Sequence, residues 1–285
     1  MDNTEKKPLD EAKLAWEQEG KHGDRAARIA RNVKWARYYR YLAESRFDSG
    51  EVGFDPHAEE VVLYLLSNGW LDENSSVLDV GAGTGTFALS LARHCASVTA
   101  LEMDDASLSV LDQSTNLLGF SNIICVSGMW ETYEAKKRFS LAFSSMCPAI
   151  CDYNELLRLE AMAEHACCLI AVTLGSYDMH RKNLMQLLGV KPEGGMTTDA
   201  LRYYEVLYLM ERQPDVRNWS GHYESHYSVR EACERNAVYF EIFGLQKETT
   251  LPVLRSYFEG RMDDDGIVHD ETQLNTALIC WRPKR

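Results

Sequence analysis

Three alternating glycines follow a short apolar run that ends at Val80: Gly81, Gly83 and Gly85. Glycine permits positive φ angles and lets the backbone approach a ligand closely. Asp79 precedes the first glycine by two positions, and Glu102 ends a second apolar run about twenty residues further on. Because doubly wound sheets bind ligands at the carboxyl ends of their strands, this spacing predicts a site for an adenosine cofactor. We expect the Glu102 carboxylate to accept both ribose hydroxyls.

Two classes of adenosine cofactor use such a turn, and two residues discriminate between them. The dinucleotide fingerprint G-x-G-x-x-G requires glycine where Thr86 stands. Asp79 would face the pyrophosphate of a dinucleotide, and close like charges repel by about 1–4 kcal/mol in a solvated site. S-adenosylmethionine carries an ammonium and a sulfonium group and no phosphate, so the same carboxylate attracts it. The motif therefore favours the methyl donor over NAD.

The strand end, the glycines and Glu102 together resemble the signature of the class I, Rossmann-like S-adenosylmethionine-dependent methyltransferases. The resemblance extends over residues 57–173 and more loosely over the last helix and two strands. It implies that Asp79, Gly81, Gly83 and Gly85 hold the methionyl part of the donor, that Glu102 binds the ribose and that Met103 flanks the adenine.

The resemblance also places expectations on residues after the third and fourth strands. The family often has an acid that bonds the adenine amine at the position of Met129, so Glu131 is the expected substitute and Trp130 the expected adenine wall. Apart from the resemblance, the position of Ser144 and Ser145 after the fourth strand predicts that one of them contacts the methionyl end. The Asn/Asp-Pro-Pro-aromatic motif, usual where the family methylates base amino groups or protein glutamine, is absent after the fourth strand, which argues against those substrates.

Strands that alternate with helices predict an α/β fold with a doubly wound, mostly parallel sheet. We expect the methyltransferase domain to comprise residues 57–174 and 229–285. Within it, the sequence at 153–166 predicts a helix, and a strand is expected near 245–253.

Two further segments flank or interrupt this domain. Apolar residues at helical spacing predict an N-terminal helical arm over 1–56, and Pro56 suits the first position of the next helix. The alternation stops at 175–228, where two predicted helices precede an aromatic stretch, 213–227, without a clear period. We expect this helical insertion to act as a substrate lid.

Aromatic and histidine residues of the arm and the insertion are the candidates for binding an acceptor: Tyr39, Tyr203, Tyr204, His222 and His226, with Tyr38, Tyr41 and Trp219 as further lid residues. Aromatic rings bury apolar area and can contact a sulfonium or ammonium group. The alternatives are that these helices are core faces, or that they form the interface of a homodimer.

Two pairs of residues have metal-ligand chemistry but also simpler explanations. Cys147 and Cys151 are spaced to share a soft metal, and Cys147 is also a candidate nucleophile, but buried structural thiols are the favoured interpretation. His222 and His226 are four residues apart, which would place them on one helix face, yet the HExxH order is missing. We therefore predict no metal site.

Composition restricts the class of partner. The 285-residue chain has a formal net charge of −13, whereas proteins that bind phosphate backbones normally present a basic face. This argues against nucleic acid and for a small or cationic substrate. The absence of an 18-residue apolar run, the polar first residues and eight scattered cysteines predict no membrane span and a cytoplasmic protein with reduced thiols.

The most consistent interpretation is methyl transfer from S-adenosylmethionine to a small-molecule acceptor. The sequence selects no catalytic residue, because alignment of nucleophile and methyl group supplies much of the rate and a general base is optional. The alternatives are methylation of RNA or protein, or a donor-binding protein without turnover.

We expect the protein to bind S-adenosylmethionine or S-adenosylhomocysteine and not NAD, because Asp79 attracts the ammonium of the former and repels the pyrophosphate of the latter. Isothermal titration calorimetry with each ligand checks this. Tight NAD binding without any response to the methyl donor would contradict it.

Overall fold

The computed structural model describes residues 3–19, 25–48, 54–190 and 200–284. Within these ranges the strands form one sheet with the order β3-β2-β1-β4-β5-β8-β6, and β7 pairs with the outer side of β8. Their bounds are β1 Ser76–Val80, β2 Ser97–Glu102, β3 Ile123–Ser127, β4 Phe139–Ser145, β5 Ala163–Val172, β6 Tyr177–Asp178, β7 Asp215–Ser228 and β8 Ile267–Trp281.

The helices of the described residues are α1 Asn3–Glu19, α2 Arg25–Asp48, α3 Pro56–Ser67, α4 Thr86–Ala92, α5 Asp105–Leu118, α6 Tyr153–Met162, α7 Arg181–Leu187, α8 Ala200–Leu209, α9 Val229–Glu241 and α10 Lys247–Glu259. Side-chain caps fix several of their starts. Asp55 accepts the Ala58 amide at the start of α3, where Pro56 is the first residue, and Asp104 accepts the Ser107 amide at the start of α5. Such caps satisfy backbone donors that a helix leaves unpaired.

Strands β1 to β5 are mutually parallel, and β8 is antiparallel to β5. The predicted α/β fold with a doubly wound, mostly parallel sheet is thereby confirmed. The chain winds outward from β1 to β3, then returns to β4 on the other side of β1. The carboxyl ends of β1 and β4 therefore form the switch point at which such sheets bind ligands.

Three clusters of buried side chains show how the helices are distributed. One sheet face packs against α3, α4 and α5, and the opposite face packs against α1, α6 and α8. A third cluster joins α2, α7, α9 and α10 to the start of β8. We call this group of four helices the accessory cluster. It supplies Tyr38, Leu184, Phe240 and Phe258 to a core separate from the two sheet faces.

Three expectations about secondary structure are wrong. The predicted strand at 245–253 lies largely in helix α10, because Thr250, Leu254 and Phe258 are buried at helical spacing and their packing overrides local β-propensity. The predicted helix at 153–166 ends at Met162, and its last residues join β5.

The third correction concerns residues 215–228, which the sequence pattern assigns to a helical insertion. They form β7 and pair with β8 along the whole length from Asp215 to Ser228. Because β7 is an edge strand whose residues are mostly exposed or half-buried, it lacks the alternation of apolar residues that identifies a strand. Among its described residues, 175–190 and 200–228, the insertion is helical at α7 and α8, and α8 packs on the sheet.

Across the described ranges, no helix is both long enough and apolar enough to cross a membrane.

Candidate functional site

The turn after β1 adopts backbone angles that favour glycine. Gly81, Gly83 and Gly85 have φ angles of +75°, +56° and +96°, and the amides of Gly81 and Ala82 donate to the Leu101 carbonyl at 2.9 and 3.1 Å. A β-carbon on Gly85 would lie 2.2 Å from Cδ1 of Leu111, whereas one on Gly83 would meet no protein atom within 4 Å. Gly85 is therefore required for packing, and Gly83 faces open space.

Asp79 is a buried carboxylate without a protein partner. It is 1% exposed, and neither of its oxygens has a hydrogen-bond partner among the residues described. Burial, with a smaller contribution from the Glu102 carboxylate, raises the pKa of Asp79 to about 7. Since buried polar groups are normally satisfied and an unpaired buried charge is costly, this arrangement calls for a cationic or hydrogen-donating ligand.

Glu102 organises the turn before any ligand binds. Its Oε2 accepts the Gly83 amide at 2.9 Å, and its Oε1 accepts the amides of Met103 and Asp104, each at 2.9 Å. Burial raises the pKa of Glu102 even though these three bonds favour the charged form. Because a carboxylate has about four acceptor positions, Oε2 retains one for a ligand hydroxyl. This leaves less capacity than the two ribose hydroxyls expected from the sequence would use.

Cys147 covers the first glycine, a contact that sequence analysis missed. A β-carbon on Gly81 would lie 2.6 Å from the Cys147 sulfur. The preceding residue, Met146, has a φ of +47°, which is rare for any residue other than glycine. This conformation turns the chain at the end of β4. No local pattern signals this contact, because it joins the ends of two strands far apart in the chain.

The Cys147 thiol is neutral at physiological pH. Burial raises its pKa to about 12, and the carboxylates of Glu102, Glu131 and Asp79 contribute to the rise. Because the thiolate is the nucleophilic form of cysteine, this environment argues against Cys147 as the nucleophile that the sequence suggested. The contact of Glu131 with adenine stays a prediction.

The other residues expected at the cofactor occupy the same edge of the sheet. Ser145 is half-buried at the last position of β4, and the Ser144 hydroxyl donates to the Val80 carbonyl at 3.1 Å. Met103 is half-buried beside Glu102. Trp130 is 3% exposed, and the Arg158 guanidinium lies 4.6 Å from its ring centroid. One face of this indole is therefore already covered, and its contact with adenine stays a prediction.

Tyr39, a predicted acceptor-binding residue, lies on α2. Its ring packs 5.8 Å from that of Trp35 and 5.7 Å from that of Tyr38, measured between centroids. Burial of the phenol and the neighbouring Tyr38 raise the pKa of Tyr39 to about 12, although the whole side chain remains 42% exposed. The hydroxyl is thus a neutral hydrogen-bonding group at physiological pH.

The remaining acceptor candidates have other surroundings. Tyr203 is buried against Trp16, and its hydroxyl donates to the Ile150 carbonyl, so it supports the loop after β4 from within the core. Tyr204, on the exposed side of α8, stacks on Tyr208. The structure thus places Tyr203 in the core with its hydroxyl bonded to backbone, and a role for either tyrosine in acceptor binding stays a prediction.

The two histidines lie on β7 rather than on a helix. His222 is exposed, with its Nε2 3.6 Å from a Glu224 oxygen, and the His226 ring packs 4.8 Å from that of His269 on β8. Both lie where the β7–β8 ladder continues beyond the residues that β8 pairs with β5. The structure therefore places neither of them in contact with Asp79 or Glu102.

Comparisons with known proteins match the segment that contains the donor site. A family described as a methyltransferase domain matches residues 77–167. EEF1A lysine methyltransferase 2 of Danio rerio is 34% identical over 79 residues, which are 27% of this chain and 33% of that protein. An uncharacterised protein of Methanocaldococcus jannaschii, MJ1452, is 28% identical over 76 residues, which are 27% and 29% of the two chains. The alignments thus span about a third of these relatives.

Among solved structures, the YcgJ protein of Bacillus subtilis is similar in fold. It superposes with a TM-score of 0.50 at 11% identity, covering 81% of this chain and 100% of that one.

The unpaired carboxylate of Asp79 predicts a pH dependence. Its folded pKa of about 7 exceeds the value of about 3.9 for an unfolded aspartate, so the folded state binds the extra proton between these pH values. The stability of the ligand-free protein should therefore fall as pH rises from 4 to 7, by about 4 kcal/mol for this group. Asp79→Asn should flatten this decline and weaken donor binding by about 1.5–3 kcal/mol.

Chemical denaturation across this pH range measures the first effect, and calorimetric titration with S-adenosylhomocysteine measures the second. An Asn variant with the parent's pH slope and the parent's donor affinity would show that Asp79 is not the group that meets the ligand.

Gly83→Ala should reduce donor binding beyond its effect on folding, because the added methyl enters the open space that Gly83 faces. Gly69→Ala is the matched control, since Gly69 also has a positive φ, +68°, and a β-carbon added there would meet no protein atom within 4 Å. Each substitution should lower the free energy of unfolding by about 1–2 kcal/mol. Titration with S-adenosylhomocysteine should show weaker binding only for Gly83→Ala, and equal affinities in the two variants would contradict this.

The matched segment and the site coincide, because residues 77–167 include Asp79, the three glycines, Glu102 and Cys147. The site also fits a donor that has an ammonium group, ribose hydroxyls and no phosphate: an orphaned buried carboxylate, a free acceptor position on Glu102 and open space at Gly83. The segment that holds this site, residues 77–167, therefore matches the family of methyltransferase domains.

Proposed function

We propose that the protein transfers the methyl group of S-adenosylmethionine to a nucleophile on a small-molecule acceptor. The observation that carries the donor half of this proposal is Asp79, whose two buried oxygens lack partners within the described chain. An ammonium group would satisfy them and would favour the ionised carboxylate. Glu102 would accept a ribose hydroxyl at its remaining position, and Gly83 leaves room for the ligand.

The reaction requires positioning more than acid–base chemistry. The sulfonium of the bound donor supplies an activated methyl carbon, and the protein has to align an acceptor nucleophile with it. Tyr39 and Cys147 both keep their protons at physiological pH because burial raises the pKa of each. They therefore suit hydrogen bonding or shape selection rather than general base catalysis.

The accessory cluster is the proposed acceptor-binding unit. Arg181 of α7 donates to the Tyr38 hydroxyl, lies 3.8 Å from the ring centroid of Tyr239 on α9 and pairs with Asp178 at 3.0 Å. Tyr39 adjoins this group, since its ring centroid is 5.7 Å from that of Tyr38. The packed aromatic rings of the accessory cluster favour the binding of a compact acceptor over that of an extended one. The acceptor region would then consist of α2, α7, α9 and α10 rather than all of residues 175–228.

A protein substrate is the second candidate. The specific observation in its favour is the similarity to EEF1A lysine methyltransferase 2, whose name specifies lysine in a protein. That similarity covers 27% of this chain, whereas the accessory cluster supports a compact acceptor. The net charge of −13 argues against RNA as the acceptor, because proteins that bind phosphate backbones neutralise them with basic residues. The exposed aromatic residues of α8, Tyr204 and Tyr208, also fit the interface of a homodimer.

We further propose that the protein acts in the cytoplasm. The support is that its eight cysteines are unpaired, including Cys168 and Cys280, which face each other across neighbouring strands. Thiols in such an arrangement persist in a reducing compartment.

The acceptor class can be tested with S-adenosylmethionine carrying a labelled methyl group. The protein is incubated with a cell extract separated into dialysable small molecules, protein and RNA, and label is followed in each fraction. We expect protein-dependent label in the dialysable fraction, and Asp79→Asn should abolish or greatly reduce it. Label confined to protein or RNA would overturn the proposed acceptor class. Donor binding without label in any fraction would indicate a protein that binds the donor without turnover.

A further inference from the structure

Helix α2 is tied directly to the ribose end of the donor site. The Arg40 guanidinium donates to Oδ1 and Oδ2 of Asp104 at 3.1 and 3.4 Å. Asp104 is two residues beyond Glu102, and its amide donates to Oε1 of Glu102. The side chains of Arg40 and Asp104 are 26% and 20% exposed. This ion pair is therefore partly withdrawn from solvent and lies next to the carboxylate assigned to the ribose.

The neighbouring residue of the same helix, Tyr39, packs its ring on those of Trp35 and Tyr38 at centroid distances of 5.8 and 5.7 Å. The contact of this turn of α2 with the donor site is therefore the Arg40–Asp104 pair. Because the Asp104 amide bonds Glu102, this pair places the turn beside the residue assigned to the ribose.

The opposite side of α2 is attached to the accessory cluster. Arg37 pairs with Glu241 at the end of α9 at 3.0 Å, and the rings of Trp35 and Tyr38 pack on Tyr239 at 6.1 and 5.4 Å. The helix thus has one set of contacts that holds it to the accessory cluster and one ion pair that holds it to the donor site.

We propose that the Arg40–Asp104 pair is a latch that keeps α2 beside the ribose end of the bound donor and slows the release of the nucleoside product. The proposal rests on donor binding as described under the proposed function. The latch can open without damage to the fold, because Asp104 caps α5 through separate bonds from the amide and hydroxyl of Ser107 to Oδ2 at 2.8 and 2.7 Å. Loss of Arg40 leaves those cap bonds in place.

The test is the dissociation rate of S-adenosylhomocysteine, followed by stopped-flow tryptophan fluorescence on the full chain. Arg40→Ala should raise this rate about two- to fivefold, the effect expected of one partly exposed ion pair. Arg40→Lys should give a dissociation rate between those of the parent and of Arg40→Ala. Arg37→Ala is the matched control, because it removes an ion pair from the same helix on the side of the accessory cluster, and its rate should stay near that of the parent.

Ionic strength provides a second readout that needs no substitution. Salt screens a partly exposed ion pair, so dissociation from the parent should accelerate as salt rises, while Arg40→Ala should respond less. An unchanged rate in Arg40→Ala, or an equal increase in Arg37→Ala, would overturn the latch while donor binding stands. Failure of the parent to bind S-adenosylhomocysteine would overturn both the latch and the proposed donor site.

Discussion

The burial of the Asp79 carboxylate is the constraint on which the site depends. The strands on both sides of β1 exclude water from this carboxylate, and no described residue offers it a hydrogen bond. A fold optimised only for stability would place an apolar residue there, because an unpaired acid in the interior costs free energy. The cost is understandable if a ligand supplies the missing partner. The carboxylate then gains its missing partner only in the complex. The affinity of the site therefore depends on the positive charge of the ligand.

The parts of the fold that could be predicted are those encoded by neighbouring residues. The run from Val77 to Gly85 contains a strand, a tight turn and the start of a helix, and each is specified by residue type within a few positions. Glu102 was identifiable because it ends a second apolar run at a characteristic distance. The alternation of strands and helices then led to the α/β class without knowledge of any long-range contact.

The parts that could not be predicted depend on contacts between distant segments. Strand β7 has no apolar alternation because it is a largely exposed edge strand, so only its pairing with β8 defines it. Helix α10 is helical because Leu254 and Phe258 pack into the accessory cluster. The contact of Cys147 with Gly81 requires β1 and β4 to be neighbours in space. Tyr203 looked like a pocket residue by type, yet only the packing of α8 against α1 shows that it lies in the core.

Strand β8 has a consequence for how the chain folds as it is synthesised. Its residues 276–281 cover the outer edge of β5, and the same strand carries β7 on its other side. The donor-binding segment leaves the ribosome well before β8, so β5 has an unpaired edge of buried, apolar residues throughout that interval. Such an edge is a template for pairing with other chains. The nascent protein is therefore most exposed to misassembly after its donor site has formed and before its sheet is closed.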